Sequence, residues 1–270
     1  MMTSRSKPAV SLVVAVYQRE DFLEKVFLSL LNQTLGDFEI VIADDGSGPA
    51  IAEIIPGYAN QFAYPIQHVW HEDNGFRKTI IVNKAVTRTR AGYLVFIDGD
   101  CILHHRFLES HYRRRRKRQA LSGRRVMFDH ALTARVTEDD VRSKRVERIA
   151  YWWKHSGKID CWNGFYLPFL YGIRNRRRTG YPMLGCNFSV HKEDFYRVNG
   201  YDERIIGRCC EDDNLWARFI NSGIAVRTVS REALQYHLYH TSGATPHSEA
   251  FIERFRSCNE TRTPCGIVKD

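Results

Sequence analysis

Four groups of residues in this chain have the types and spacing needed for chemistry. Asp98-Gly99-Asp100 sets two carboxylates on a tight turn, where alternate residues can face one cation. Hard oxygen ligands of this kind suit Mg2+ or Mn2+, ions that also bind phosphate oxygens. An isolated D-x-D triplet reads equally well as a solvated turn. Asp44-Asp45-Gly46-Ser47 is a similar turn. Its carboxylates either accept hydrogen bonds from a nucleobase or ribose, or end a strand and cap the next helix. Glu211-Asp212-Asp213 opens a helical pattern. Such a cluster complements a helix N-terminus, or it raises one carboxyl's pKa until it can take a hydroxyl proton. His237 and His240 are structural histidines or late ligands to a metal already held by carboxylates, since imidazole is acceptable to Mn2+.

The elements that must position these groups alternate strand and helix. Val10–Val16 is a continuous apolar run, as expected of a strand buried on both faces. A helix from about Glu20 to Asn32 has one apolar stripe, Phe22, Leu23, Val26, Phe27, Leu30 and Leu31. Phe38–Ala43 and Tyr93–Ile97 read as further buried strands, Ile66–Trp70 as another, and Ile51–Tyr58 and Lys78–Arg90 as helices. The order predicts an α/β fold with a mostly parallel, doubly wound sheet, helices on both faces and right-handed crossovers. Ligands of such sheets bind beyond the carboxyl ends of the strands. Both acidic turns fall at such ends. His104–Arg118 reads as a helix closing in the run Arg113–Arg118, residues 129–181 as an irregular, Arg- and Trp-rich lobe, and Glu211–Asn221 as a helix followed by a strand near Ile224–Val229. The tail beyond Ser242 reads as loosely structured.

Composition narrows the partners. The chain has 270 residues and a net charge of 40 − 31 = +9, which favours an anionic partner. The basic run 113–118 is either a solvated helix face or a contact with an anionic membrane surface. Nucleic acid is not the expected partner, because no zinc finger, homeodomain or aromatic RNA-binding motif accompanies the charge. No Walker-A or G-x-G-x-x-G motif is present, which argues against kinases and dehydrogenases. Seven Cys, an odd number without C-x-x-C, fit a reducing compartment. The apolar run Ala9–Val16 is too short to span a bilayer, and no signal cleavage site follows it. The expected location is cytoplasmic and peripheral to the inner face of a membrane.

Taken together, these segments resemble the family 2 glycosyltransferases of GT-A, Rossmann-like fold. SLVVAVYQREDFLEKVFLSLLNQTLGDFEIVIADDGS is similar to the family's N-terminal signature, and HEDNGFRKTIIVNKAV and AGYLVFIDGDC to its next two blocks. LGCNFSVHKEDFYRVNGYDERIIGRCCEDDNLWARFINSG resembles a C-terminal block shared with galactosyltransferases and chondroitin-polymerase-like bacterial enzymes. The resemblance covers residues 9–129 and 183–241. It implies one GT-A domain over 1–241, with a nucleotide-sugar half (9–129), a lobe (130–182), an acceptor and catalytic half (183–241), and a tail (242–270).

Carried over by position, the resemblance implies that Asp44 or Asp45 contacts the donor's base and ribose, with Ala15, Val16 and Tyr17 lining the same pocket. Arg77 and Asn83 would sit near the donor, as would Gly99. Asp98 and Asp100 would form the site for Mn2+ or Mg2+, with Asp100 the direct ligand and His237 a late one. Asp212 would be the base, and Glu211 would bind acceptor or sugar. The implied activity is an inverting, metal-dependent hexosyl transfer from a nucleotide sugar, a UDP-sugar, to a glycan or glycolipid hydroxyl in bacterial surface polysaccharide or lipopolysaccharide synthesis. Trp152, Trp153 and Trp162 would be platforms for sugar rings or the lobe's small core. The alternative reading is a non-catalytic protein of this fold that holds sugar or anionic polymer. Arg208-Cys209-Cys210 stands where relatives often have Trp-Gly-Gly.

Overall fold

The structure is a computed structural model that describes residues 7–157, 160–175, 180–241 and 247–269. Parts of three expectations lie outside the described residues: the leader reading at residues 1–6, the lobe at 158–159 and 176–179, and the tail at 242–246 and 270.

The chain runs β1 (Val10–Val16), α1 (Glu20–Leu31), β2 (Phe38–Asp44), α2 (Pro49–Ala59), β3 (Gln67–Trp70), α3 (Lys78–Arg88) and β4 (Tyr93–Asp98). It continues with β5 (Cys101–Leu103), α4 (Phe107–Arg114), β6 (Gln119–Ser122) and β7 (Val126–Met127). The lobe adds the short helices α5 (His130–Arg135), α6 (Glu138–Arg142), α7 (Ile149–Trp152) and α8 (Leu170–Asn175). The remainder is β8 (Asn187–His191), α9 (Lys192–Arg197), α10 (Glu211–Asn221), β9 (Ala225–Thr228), β10 (Gln235–His237) and α11 (Glu249–Arg256).

Seven strands form one sheet in the order β3-β2-β1-β4-β8-β6-β9. All neighbours are parallel except β8, which is antiparallel to both β4 and β6. Side chains alternate across this sheet, as strand geometry requires. Leu12 and Val14 join α1 residues such as Phe22, Leu23 and Phe27 in one core, while Val13 joins Ile81, Val82 and Val86 of α3 and Leu215 and Phe219 of α10 in the other. Helices therefore cover both faces, as the uninterrupted apolar strands predict. Phe96 and Phe188 stack at 4.3 Å and fasten β8 to β4.

Register carries the acidic turns to one place. Val16 lies opposite Asp44, and Ala15 opposite Asp98. A second sheet, β5-β10-β7, caps that edge. In it His237 is paired with Cys101 on one side and Met127 on the other.

Two expectations are corrected. The helix predicted over His104–Arg118 occupies only Phe107–Arg114, because residues 119–122 are drawn into the sheet as β6 and Arg118 turns the chain at φ 60. The basic run is consequently not one helical face. Arg114 pairs with Glu232 at 2.9 Å, Arg115 lies over Tyr112, and Arg118 donates to the Ser222 carbonyl. The tail is also not loose over residues 247–269. Phe255 is buried, Asn214 donates to its carbonyl, Arg256 pairs with Asp213 at 2.9 Å, and Asn199 donates to the carbonyls of Thr263 and Val268.

Candidate active site

The end of β1 is the hinge of the site. The carbonyl of Ala15 accepts from Gly99 N at 2.8 Å, and that of Val16 accepts from Asp45 N at 2.9 Å. Both acidic turns are thus bolted to one strand end. A side chain on Gly99 would press on Val16, with a Cβ 3.0 Å from its Cγ2. Tyr17, half exposed, donates its hydroxyl to Asp73 at 3.0 Å.

Asp44 and Asp45 are both buried but hold different partners. Asp44 accepts from Ser47 N at 2.8 Å and faces His68 Nε2 at 2.8 Å. Burial pushes its carboxyl up, and these two partners outweigh burial and hold it below the usual range. Asp45 faces His71 Nε2 at 2.7 Å and accepts from Arg77 N at 2.8 Å. Here burial wins and the carboxyl is raised. Arg77 meanwhile donates its Nε to the Asn74 carbonyl. Asn83 is not in this group, contrary to expectation. It is 1% exposed and clamps Tyr201, donating to its carbonyl and accepting from its N–H, each at 2.9 Å. The residue of α3 that reaches the site is Lys78, one turn earlier.

The two carboxylates of Asp98-Gly99-Asp100 diverge. Asp98 Oδ1 lies 2.5 Å from Lys78 Nζ. Burial opposes the Lys78 charge, but Asp98 and Asp212 outweigh it and hold the ammonium above the ordinary lysine range. Asp100 turns to β10 instead, with Oδ2 at 2.9 Å from His240 Nε2 and 3.4 Å from His237 Nε2. The ligand atoms of Asp100, His237 and His240 all lie within 4.8 Å of one another. Burial alone would raise Asp100, but His240 and His237 bring it down to about 2. His237 is buried, which favours its neutral form, and its Nδ1 has no partner among the described residues. One carboxylate with two imidazoles fits a borderline ion such as Mn2+ better than Mg2+, which prefers an all-oxygen shell. Of the expected ligands Asp98, Asp100 and His237, Asp100 and His237 lie together with His240, while Asp98 faces Lys78.

At the start of α10 the three acidic residues separate. Asp213 faces outward to Arg256. Glu211 is buried and accepts from Cys209 N at 3.1 Å. Asp212 points inward, accepting from Gly185 N at 2.7 Å and from the Tyr201 hydroxyl at 3.1 Å. A Cβ on Gly185 would overlap the Asp212 carboxylate, so that approach needs a glycine. Burial raises the Asp212 carboxyl to about 6, with Glu211 adding to the rise and Lys78 opposing it. A buried carboxyl that titrates near neutrality beside a lysine is suited to accepting a proton.

Sequence reasoning missed Lys78, Gly185, Tyr201, His68 and His71. Only the histidines left a trace, since His68 lies in β3 and His71 directly follows it. The lobe's tryptophans divide: Trp152 is buried among Tyr236 and Phe165, whereas Trp153 and Trp162 are partly exposed.

The sequence and the fold match known proteins. The model of glycosyl transferase family 2 matches residues 11–181, and that of the N-terminal domain of galactosyltransferase matches residues 173–241. Validoxylamine A glucosyltransferase of Streptomyces hygroscopicus subsp. jinggangensis is 27% identical over 239 residues, which are 84% of this chain and 54% of that protein. Chondroitin synthase of Escherichia coli is 24% identical over 244 residues, 84% of this chain and 34% of that protein. The chain thus spans about half the length of the first relative and a third of the second. Among solved structures, a mannosyltransferase from Pyrobaculum calidifontis in complex with GDP-Man and Mn2+ has a TM-score of 0.61 at 14% identity, covering 88% of this chain and 59% of that one. TarS of S. aureus has a TM-score of 0.55 at 13% identity, covering 85% and 36%. The likeness to these structures establishes the GT-A fold, and the family model covers well over half of the sequence. The chain belongs to glycosyl transferase family 2.

Proposed function

We infer that the chain transfers a hexosyl group from a nucleotide sugar, UDP-linked, to a hydroxyl of a glycan or glycolipid, with inversion at the anomeric carbon. The observation that carries this reading is Asp212: an inward carboxyl raised to about 6, next to Lys78 and on the same sheet edge as the Asp100–His237–His240 cluster. In the proposed step the acceptor oxygen bonds to the anomeric carbon as the carbon–oxygen bond to the diphosphate breaks. The hydroxyl proton passes to Asp212, and the nucleoside diphosphate leaves. Inversion needs this one base and no covalent intermediate, by the same direct-displacement logic as in inverting glycosidases. Mn2+ held by Asp100, His237 and His240 would supply Lewis-acid neutralisation of the leaving diphosphate.

Lys78 adds a fixed positive charge on the same side and keeps Asp98 in place. The buried pairs Asp44/His68 and Asp45/His71 give the donor pocket its polar wall, with Tyr17 and Arg77 at its rim. Glu211, turned back to Cys209 N, shapes the acceptor side. The acceptor is a bacterial surface glycan or glycolipid presented at an anionic membrane face. The non-catalytic alternative is less well supported, because Cys209 and Cys210 leave Asp212 and its partners in place.

Thermal shift with a panel of nucleotide sugars, with and without Mn2+, tests donor binding. A ligand at 100 times its Kd adds about 2.7 kcal/mol of stability. The expected outcome is a shift for a UDP-sugar that depends on Mn2+. No shift with any nucleotide sugar would overturn the reading.

A further inference from the structure

Cys209 and Cys210 stand directly before the acidic cluster of α10, and their thiols take no part in the step proposed above. The two Sγ atoms lie 3.1 Å apart, so the thiols already touch. Cys209 is partly exposed, whereas Cys210 is 1% exposed and packs with Ile205 and Phe255. One thiol of the pair is thus open to a water-borne oxidant, and its partner lies behind it in contact. Burial and the neighbouring sulfur push the Cys210 thiol up, which keeps it protonated. Reactivity toward peroxide follows thiolate character and exposure, so Cys209 reacts first. Cys101 and Cys186, which share the Gln235 amide at 3.4 Å, are both buried away from solvent.

The backbone around the pair is tied to the candidate active site. Cys209 N donates to Glu211 Oε2 at 3.1 Å, and the Cys210 carbonyl accepts from Asn214 N at 2.9 Å. Adjacent Cα atoms are about 3.8 Å apart across a trans peptide, closer than the roughly 4.4–6.8 Å usual for a disulfide. Joining the sulfurs therefore requires the peptide between them to rotate, which pulls on both hydrogen bonds and on the first turn of α10. Asp212 lies in that turn, held by Gly185 N and the Tyr201 hydroxyl. The same misfit makes such a bridge readily reducible.

We propose that Cys209 and Cys210 are a redox site at the head of α10, which hydrogen peroxide closes to a vicinal disulfide and which in closing shifts Asp212 and slows transfer. The Cys209 sulfur takes an oxygen atom from the peroxide, giving a sulfenic acid and water. The Cys210 sulfur then bonds to the Cys209 sulfur, and the sulfenic hydroxyl leaves with the Cys210 proton as a second water. Both sulfurs are oxidised and the peroxide oxygens reduced, and a dithiol reductant reverses the change. The effect on rate rests on Asp212 being the base, as inferred above; the disulfide does not.

The test treats the whole chain with hydrogen peroxide, alkylates the remaining thiols and digests with trypsin. Cleavage after Arg208 and Arg218 gives the peptide Cys209–Arg218, whose only thiols are this pair. It is expected to escape alkylation and to weigh about 2 Da less than the dithiol, the mass of the hydrogens lost, and dithiothreitol should restore it. Turnover should fall about tenfold or more on oxidation, in line with the cost of a small misplacement at a reacting centre, and return on reduction. In Cys209→Ser the treated and untreated rates should coincide, which separates this pair from oxidation at Cys101 beside Asp100. Recovery of the fully alkylated peptide after treatment would overturn the proposal, as would Cys209 carried to a sulfinic acid with no bridge. A bridged peptide with undiminished turnover would overturn the control of α10. If the untreated wild type transfers nothing, the transfer reading fails, and the peptide mass still decides the disulfide.

Discussion

Lys78 Nζ lies 2.5 Å from Asp98 Oδ1, and its charge also faces Asp212 and Glu211. One ammonium therefore stands among three carboxylates at the carboxyl edge of the sheet. Lys78→Met should leave those carboxylates repelling one another. We expect a loss of stability below the roughly 3–5 kcal/mol typical of breaking a fully buried pair, since both side chains keep some solvent contact. We also expect at least about a hundredfold loss in turnover, of the order seen when a single electrostatic donor is removed from an active site. Thermal melts and steady-state rates read the two effects. Adding Asp98→Asn should recover much of the stability and none of the rate. Wild-type turnover in Lys78→Met would remove the lysine from the mechanism.

The Asp212 carboxyl is raised to about 6, which fixes a pH dependence. Burial, Glu211 and Asp98 push it up, while Lys78 and the Gly185 N–H pull it down. A base must be deprotonated, so turnover on a soluble acceptor should climb with pH through about 6 and level off above. Linkage gives the opposite sign for stability. The folded state holds this proton more tightly than the unfolded one, so the contribution is present below the unfolded pKa near 4 and lost as pH rises through 6. Asp212→Asn should then melt at or above the wild-type temperature at pH 8 and lose that advantage below pH 4. A rate that stays flat from pH 5 to 8 would count against Asp212.

Metal removal follows from the cluster of Asp100, His237 and His240. EDTA should abolish transfer, and Mn2+ should restore it better than Mg2+, because two of the three donors are imidazoles. Asp100→Ala and His240→Ala should each weaken Mn2+ binding, measured by titration calorimetry, with little change in melting temperature. Equal Mn2+ affinity in His240→Ala would return the ligand role to Asp98.

Within the basic run the substitutions should differ. Arg114 pairs with Glu232, donates to the Pro168 carbonyl and lies over Tyr171 at 4.2 Å. Arg114→Gln should cost about 1–3 kcal/mol by leaving buried Glu232 uncompensated. Arg116, exposed, should tolerate Gln within about 0.5 kcal/mol. Urea unfolding of the two variants makes the comparison.

What was legible in the sequence was local. β1, β2 and β4 show themselves as apolar runs because both faces of a parallel sheet are covered, and the acidic turns follow from where those runs stop. The GT-A fold came through on that basis and on the resemblance, and Asp44, Asp45 and Asp100 sit at the strand ends, and Asp212 at the start of α10, as the sequence pattern placed them. What stayed hidden depends on pairing between distant segments. Asp98 parts from Asp100 because Lys78 arrives from α3. His240 reaches Asp100 because β10 pairs with β5, a three-residue strand too short to leave a periodic signal. Asn83 was misplaced because the approach of the Tyr201 backbone cannot be seen from α3 alone. The helix expected through Arg118 failed because sheet pairing of Gln119–Ser122 overrode a helical composition.

In the proposed mechanism Asp212 takes the acceptor proton in a Mn2+-dependent transfer. The most direct measurement is the rate of UDP release from UDP-sugars with Mn2+, in the presence of candidate glycan acceptors, for wild type and Asp212→Asn side by side. Acceptor-dependent release is expected of the wild type. Release by Asp212→Asn should be at least about a hundredfold slower at unchanged donor affinity, matching the 10²- to 10⁴-fold typical of losing a general base. Near-wild-type release by Asp212→Asn would contradict it.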